Sequence, residues 1–239
     1  MKRFRLAGDK HMMAMQVVLH GLKSKMWQHA FVVLALAIIP LLSVSQPFAA
    51  SRTAHIVAFG DSLTAGYGLP PGADFASRLE KALAERGLNV RVSNAGVSGD
   101  TTSGGLARFD WAVPADTDAV ILELGANDAL RGIPPKIARD NLDQILSKLA
   151  NRKIPVLLAG MRAPTNWGDA YTAQFDAIFT ELAQKHDALL YAFFLEGVID
   201  MPKLKLPDAL HPNQAGVDEI VKRILPTVEE LIKRIQPHD

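Results

Sequence analysis

Five short runs of strand-forming residues alternate with longer amphipathic segments, and this alternation limits the fold more than any other feature of the sequence. The runs cover residues 55–59, 89–93, 118–124, 154–160 and 188–194. Short, mostly apolar runs of this kind are typical of strands buried in a parallel sheet. The sequence therefore predicts an α/β fold of three layers, in which helices cover both faces of a parallel sheet.

Three segments space their apolar residues at helical intervals, which predicts amphipathic helices over residues 135–150, 169–186 and 213–236. Proline removes a backbone donor from a helix, so Pro226 is expected to kink or split the third segment. The predicted core face of the first segment consists of Ile137, Leu142, Ile145, Leu146 and Leu149. Because the sequence contains no repeat, low-complexity tract or interdomain linker, residues 52–239 are predicted to form one domain.

The first strand-like run leads into Gly60-Asp61-Ser62-Leu63, which places a serine at the tip of a strand. Glycine there lets the chain turn sharply and lets a substrate approach the backbone, as a hydrolase nucleophile requires. The same residues also suit an ordinary strand-to-helix turn, in which Asp and Ser cap the helix. Ser62 is therefore a candidate nucleophile, and it needs a base beside it because a free hydroxyl is weakly nucleophilic.

Two further blocks follow strand-like runs and offer hydrogen-bond donors. Gly96 and Gly99 follow the second run, and their backbone N–H groups suit either an anion site or a plain loop. Asn127 follows the third run, and its amide either points at developing negative charge or caps a helix. Blocks at the carboxyl ends of strands agree with the rule that open α/β sheets bind ligands at that edge.

His211 is the histidine that best suits a catalytic base. Asp208 precedes it by three residues, so the Asp208 carboxylate can reach Nδ1–H of His211 within one turn. That contact leaves Nε2 free to take a proton from a serine. The predicted catalytic residues, in chain order, are Ser62, Asp208 and His211.

Taken together, these blocks resemble the SGNH (GDSL) hydrolase family over residues 55–225. Within that family the sequence is similar to bacterial periplasmic enzymes of the thioesterase I/lysophospholipase type and to arylesterases. The resemblance implies the SGNH hydrolase fold, a flavodoxin-like sheet of five parallel strands. It also implies Ser62 as nucleophile, His211 as general base and Asp208 as the residue that orients the base.

The resemblance further implies an oxyanion hole formed by the backbone N–H groups of Ser62 and Gly99 and by the side-chain amide of Asn127. Spacing alone does not separate Gly99 from Gly96 as the second donor. Ala126 stands where the subgroup often has a second glycine, which leaves the conformation of this loop open.

The implied activity is hydrolysis of acyl esters and thioesters through an acyl-enzyme, with no cofactor and no metal. One alternative keeps the fold and deacetylates a cell-wall or exported polysaccharide. Another alternative is a metal-dependent phosphohydrolase. It would use the side chains of Asp61, Asp128, Asp208 and His211.

Two loops, residues 130–135 and 161–169, are expected to border the site. Ile133, Trp167 and Tyr171 are predicted to line a groove for an acyl chain, although packing beneath a loop explains each of them equally well.

Composition restricts the possible partners. The chain contains no cysteine, which excludes disulfides, thiol catalysis and cysteine metal sites. Residues 52–239 carry 20 basic and 24 acidic side chains, a net charge of −4. Because a mildly acidic domain without basic clusters binds nucleic acid poorly, we expect no nucleic-acid partner. The resemblance implies a small-molecule acyl ester or thioester as the substrate, and we expect a monomer.

The N-terminal residues 1–51 have the order of a signal peptide and leader. Lys23 and Lys25 precede an apolar stretch at residues 30–42, and small residues follow as far as Ser51. The stretch is shorter than an ordinary membrane span. We therefore expect cleavage near Ser51, a periplasmic or secreted product and no stable membrane insertion afterwards; an anchor that stays attached is the alternative.

The leader prediction is testable by N-terminal sequencing of the exported protein, which should begin near Arg52 because small residues precede that position. Membrane-bound enzyme that retains residues 30–42 would instead indicate an anchor.

Overall fold

Five parallel strands form one sheet in the computed structural model, which describes residues 52–236. The strands are β1 (Ala54–Gly60), β2 (Val90–Gly96), β3 (Ala119–Glu123), β4 (Val156–Ala159) and β5 (Leu189–Tyr191). Their order across the sheet is β2-β1-β3-β4-β5, and every neighbouring pair is parallel. This is the flavodoxin-like order, so the predicted α/β fold and its five strands are confirmed.

Within the described residues, seven α-helices connect and cover the strands. They are α1 (Ser62–Ala65), α2 (Phe75–Glu85), α3 (Thr102–Ala112), α4 (Ala126–Leu130), α5 (Pro135–Asn151), α6 (Asp169–Lys185) and α7 (Gln214–Lys233). Helix α2 packs against α7, whereas α3 packs against α5 and α5 against α6. These two groups form the outer layers of the three-layer arrangement.

The core lies on both faces of the central strands. All five residues of β3 are buried, and Ile56, Val57, Ala58 and Phe59 of β1 are fully buried. Such strands have apolar residues on both faces because helices cover both sides of the sheet. Glu123, at the end of β3, is the charged exception within this buried strand.

Two details of the helix predictions were wrong. Helix α7 is not split at Pro226, because Ile224 and Val228 on either side of the proline are fully buried and their packing offsets the lost hydrogen bond; a kink there stays a prediction. Ile137 is 42% exposed, and Ala138 takes its place on the core face of α5. The spacing from position 138 to Leu142 is one helical turn, which explains the exchange.

The sheet order brings the predicted site blocks together. Strand β1 lies between β2 and β3, so the loops after these three strands are neighbours at one edge of the sheet. Residues 208–211 reach the same edge from a turn after β5. The backbone N–H of Leu206 donates to the oxygen of His211 (2.8 Å), which closes this turn.

The described residues belong to one compact unit, Arg52–Asp239. No helix within residues 52–236 is long and apolar enough to cross a membrane. The predicted leader and its cleavage site lie outside the described residues, so the domain boundary after residue 51 stays a prediction.

Candidate active site

The turn between β1 and α1 presents Ser62 at the start of a one-turn helix. Asp61 caps this helix, and its Oδ1 accepts a hydrogen bond from the Leu63 N–H (3.0 Å). Gly66 ends the helix at φ 80°, a left-handed conformation that glycine adopts without a Cβ clash, and its N–H donates to the Ser62 oxygen. The serine is thereby held at the tip of β1.

Ser62, His211 and Asp208 form a continuous hydrogen-bonded chain. The Nε2 atom of His211 lies 2.9 Å from Oγ of Ser62, and its Nδ1 lies 2.7 Å from Oδ2 of Asp208. These are ordinary hydrogen-bond distances between the atoms that a serine nucleophile, a base and an orienting carboxylate require. The structure thus brings together three residues that are up to 149 positions apart in the chain.

Backbone hydrogen bonds hold the Asp208 carboxylate in its ionised form. Its Oδ1 accepts from the N–H groups of His211 (3.0 Å) and Leu210 (2.9 Å). These bonds, together with the His211 ring, lower the pKa of Asp208 from 3.8 to about 2. The carboxylate is therefore charged at every pH at which the enzyme is expected to work.

Gly99 and Asn127 line the same cavity as Ser62 and His211. Gly99 has φ 85°, and its backbone N–H makes no hydrogen bond within residues 52–236. The Asn127 Nδ2 atom donates one hydrogen bond to Oδ2 of Asp61 (3.0 Å). A primary amide carries two N–H donors, so one remains for a ligand in the cavity.

The two candidate glycines have different surroundings. The Gly96 N–H donates to Oδ1 of Asn94 (2.9 Å). Gly96 is the last residue of β2 and pairs with Gly60 of β1. A Cβ at Gly96 would come within 2.3 Å of the Ala65 nitrogen, so this glycine permits the close approach of α1 to β2. The N–H of Gly96 thus already has an acceptor and its Cα packs against α1, whereas Gly99 lines the cavity.

Asp61 connects the turn of Ser62 to the side chain of Asn127. Its carboxylate is fully buried and accepts from both Leu63 and Asn127. Burial raises the pKa of Asp61 from 3.8 to about 6, an effect that the two hydrogen bonds only partly oppose. One buried carboxyl group therefore holds two elements of the candidate site.

A second support is Arg108, which the sequence analysis did not identify. Its side chain is buried, donates to the backbone oxygens of Gly60 and Ala95 (both 2.8 Å) and pairs with Asp100. Arg108 thereby ties the end of β1 to the loop that carries Gly99. The sequence around Arg108 shows only an arginine in a helical segment, so these contacts with Gly60 and Ala95 could not be predicted from it.

The cavity at Ser62 has a volume of about 400 Å³ and walls that are mainly apolar. The apolar lining residues are Leu63, Tyr67, Ala126, Leu130, Leu195 and Leu210. Tyr67 stands beside the base, with its ring centroid 4.5 Å from that of His211. The sequence analysis missed these lining residues, although Tyr67 follows Ser62 by only five positions.

The three residues predicted to bind an acyl chain do not line this cavity. The indole N–H of Trp167 donates to the Ala129 oxygen, and the Tyr171 hydroxyl donates to the Ile133 oxygen (both 2.8 Å). These bonds fasten loops that lie next to the site, which agrees with the packing alternative. Contact of Ile133, Trp167 and Tyr171 with a substrate stays a prediction.

The side chains required by the phosphohydrolase hypothesis are not assembled into one cluster. Asp128 is buried and accepts from the Thr102 N–H (2.8 Å) and hydroxyl (2.7 Å), while Asp61 and Asp208 have the partners given above. No group of three His, Asp or Glu side chains within residues 52–236 has the geometry to hold a metal ion. The arrangement therefore offers a serine and a base rather than a carboxylate metal site.

The raised pKa of Asp61 predicts a pH-dependent stability. Because the folded state prefers the protonated form, the stabilisation from Asp61 is complete below about pH 4 and is lost as the pH rises through about 6. Asp61→Asn cannot titrate. Between about pH 4 and pH 7, its free energy of unfolding should therefore gain about 2 kcal/mol relative to wild type.

Urea unfolding of both proteins across this range measures the difference. Parallel curves for wild type and Asp61→Asn would mean that the pKa of Asp61 is the same in the folded and unfolded chains.

Comparison with known proteins supports the chemistry of this site. The model of the GDSL-like lipase/acylhydrolase family matches residues 58–218. An arylesterase of Vibrio mimicus is 38% identical over 188 residues, which cover 78% of this chain and 92% of the relative. The thioesterase 1/protease 1/lysophospholipase L1 of Escherichia coli K12 is 34% identical, with coverage of 79% and 91% respectively.

Among solved structures, the crystal structure of AlinE4, an esterase of the SGNH-hydrolase family, has a TM-score of 0.64 and 49% sequence identity. The match covers 75% of this chain and 96% of AlinE4. Fold and sequence agree, and the family expected from the sequence is confirmed. The chain belongs to the GDSL-like lipase/acylhydrolase family of SGNH hydrolases.

Proposed function

We propose that this chain is a serine hydrolase that cleaves acyl esters and thioesters through an acyl-enzyme. The observation that carries the proposal is the chain of hydrogen bonds from Asp208 through His211 to Ser62 at the mouth of an apolar cavity. A base at 2.9 Å from a serine hydroxyl is the arrangement that activates a nucleophile.

The first half of the reaction forms the acyl-enzyme. His211 Nε2 takes the proton from Ser62 Oγ as this oxygen attacks the carbonyl carbon, and Asp208 stabilises the imidazolium. The carbonyl oxygen becomes an oxyanion and accepts hydrogen bonds from the N–H groups of Ser62 and Gly99 and from the Asn127 amide. His211 then gives its proton to the leaving alcohol or thiol as the bond to the carbonyl carbon breaks.

The second half uses water in place of the alcohol. His211 Nε2 takes a proton from the water as the water oxygen attacks the acyl-enzyme, and the same donors stabilise the second oxyanion. Collapse of this intermediate breaks the bond to Ser62 Oγ, which regains its proton from His211. The products are a carboxylic acid and the free enzyme.

The cavity walls and the named relatives support an apolar acyl or aryl ester as substrate. Leu63, Leu130, Leu195 and Leu210 contribute to the cavity wall, and no Asp, Glu, Lys or Arg of residues 52–236 lines it. One relative is named an arylesterase and another a thioesterase and lysophospholipase. These names do not favour the polysaccharide deacetylase alternative.

Location and assembly are part of the same proposal. The basic, apolar and small-residue order of residues 23–51 supports a periplasmic or secreted enzyme, formed by residues 52–239 as one domain. We propose a monomer that acts on small molecules.

The proposal is tested with an ester and thioester panel and an organophosphonate label. Wild type should hydrolyse aryl esters and acyl thioesters and should bind one phosphonate on Ser62. Ser62→Ala should lose nearly all activity with little change in melting temperature, because the half-buried hydroxyl makes a single side-chain hydrogen bond, to His211, and adds little packing.

Ser103→Ala is the matched control for this experiment. The Ser103 hydroxyl bonds to Asn141 and does not line the cavity, so the variant should keep its activity and its labelling. A phosphonate adduct on Ser98 or Ser103 would show that Ser62 is not the nucleophile.

The Asn127 amide is predicted to stabilise the transition state rather than the bound substrate. Asn127→Ala should therefore lower kcat by roughly 10²–10³-fold with a much smaller change in KM. Steady-state kinetics with one aryl ester and one thioester measure both constants. An increase in KM alone would assign Asn127 to substrate binding.

A further inference from the structure

Glu123 lies directly beneath the turn that carries Ser62, although it does not contact the cavity. It ends β3, and its side chain is fully buried. Its Oε2 accepts hydrogen bonds from the Thr64 hydroxyl (2.7 Å) and from the Asp61 backbone N–H (3.2 Å). Glu123 thus contacts the residues on both sides of the dipeptide Ser62-Leu63.

The side chains of Glu123 and Thr64 pack so closely against Gly60 that no Cβ atom fits at this position. A Cβ at Gly60 would lie 2.4 Å from Oε2 of Glu123 and 2.2 Å from the Thr64 hydroxyl oxygen. The carboxyl group therefore fills the space between the end of β1 and helix α1. A residue in this position sets the distance between the sheet and the nucleophile turn.

The surroundings of Glu123 do not compensate a negative charge. No Lys, Arg or His within residues 52–236 forms an ion pair with it, and its Oε1 has no hydrogen-bond partner among these residues. Burial and the neighbouring Asp61 carboxylate raise the pKa of Glu123 well above its ordinary value. A buried carboxyl group without a cation is more stable with its proton.

Asp61 is the charged side chain that acts on this carboxyl, and it also holds the Asn127 amide. Two basic side chains at the same turn are paired with other carboxylates. Arg108 donates to the Gly60 oxygen and pairs with Asp100, and His211 lies next to Ser62 and pairs with Asp208. A charge on Glu123 would add a second carboxylate beneath the predicted oxyanion hole and would oppose the negative charge that develops there.

We propose that Glu123 is a neutral positioning residue, a protonated carboxyl that holds Thr64 and the Asp61 backbone and thereby aligns Ser62 and, through Asp61, Asn127. The proposal rests on the proposed function for its kinetic consequences. The protonation of Glu123 is a property of the folded chain and is measurable without catalysis.

The test compares two substitutions. Glu123→Gln keeps the acceptor oxygen and is neutral, so kcat at neutral pH should stay within about threefold of wild type. Glu123→Leu keeps the volume but removes the acceptor. Its kcat should fall by about 10–100-fold, while KM should change by less than about twofold because the cavity wall is unaltered.

The pH profile of kcat distinguishes positioning by a neutral group from a merely structural role. Wild type should lose activity at alkaline pH as Glu123 ionises, and Glu123→Gln should lack this decline. Equal losses in Glu123→Gln and Glu123→Leu at neutral pH would mean that the charge is required. Wild-type activity in a folded Glu123→Leu would mean that the residue positions nothing.

If Glu123→Leu does not fold, Thr64→Val replaces it. This variant removes the hydroxyl that Glu123 accepts from and keeps the side-chain shape, and its kcat should fall while KM is retained. An unchanged kcat would overturn the proposal.

Infrared difference spectroscopy between wild type and Glu123→Gln separates this proposal from the proposed function. The carbonyl stretch of a protonated carboxyl should be present in wild type and absent in the variant. A carboxylate band in its place overturns the neutral state of Glu123. A wild type that hydrolyses no ester, or an active Ser62→Ala, overturns the proposed function and leaves the spectroscopic result standing.

Discussion

The Asp61 carboxylate makes the two hydrogen bonds on which the geometry of the site depends. One bond caps the helix that begins at Ser62. The other holds the amide of Asn127, which lies in the short helix α4 after β3. Asp61 therefore links the predicted nucleophile, Ser62, to the predicted oxyanion donor, Asn127. The energetic consequence is a buried charge whose pKa is raised to about 6, so this alignment costs stability at neutral pH.

The order of the strands in the sheet makes the contact between Asp61 and Asn127 possible. Strand β1 is flanked by β2 and β3, so three loops that are separated in sequence by about thirty residues each meet at one edge. Arg108 connects the loops after β1 and β2, and Asp61 connects those after β1 and β3. The predicted base, His211, lies on a short turn after β5, and Asp208 holds this turn by accepting two backbone hydrogen bonds.

Three buried carboxyl groups lie at the edge of the sheet that carries the candidate site. Asp61, Glu123 and Asp128 are all fully buried, and each is hydrogen-bonded to a residue of a neighbouring loop. Groups of this kind destabilise a fold when one partner is lost, because the other is left unpaired in a low dielectric. The same property gives the loops a single conformation, which a preorganised oxyanion hole requires.

Sequence alone determined the fold class, the approximate strands and the three residues of the hydrogen-bonded chain, because these depend on local patterns: apolar periodicity, a serine after a strand, and Asp208 one turn before His211. Packing between distant segments decided the rest. The strand-like run at 118–124 did not reveal that Glu123 is buried under Ser62, and spacing did not distinguish Gly96 from Gly99. Those outcomes depend on which side chains and backbone groups approach each other across neighbouring strands, and only the tertiary structure sets those distances.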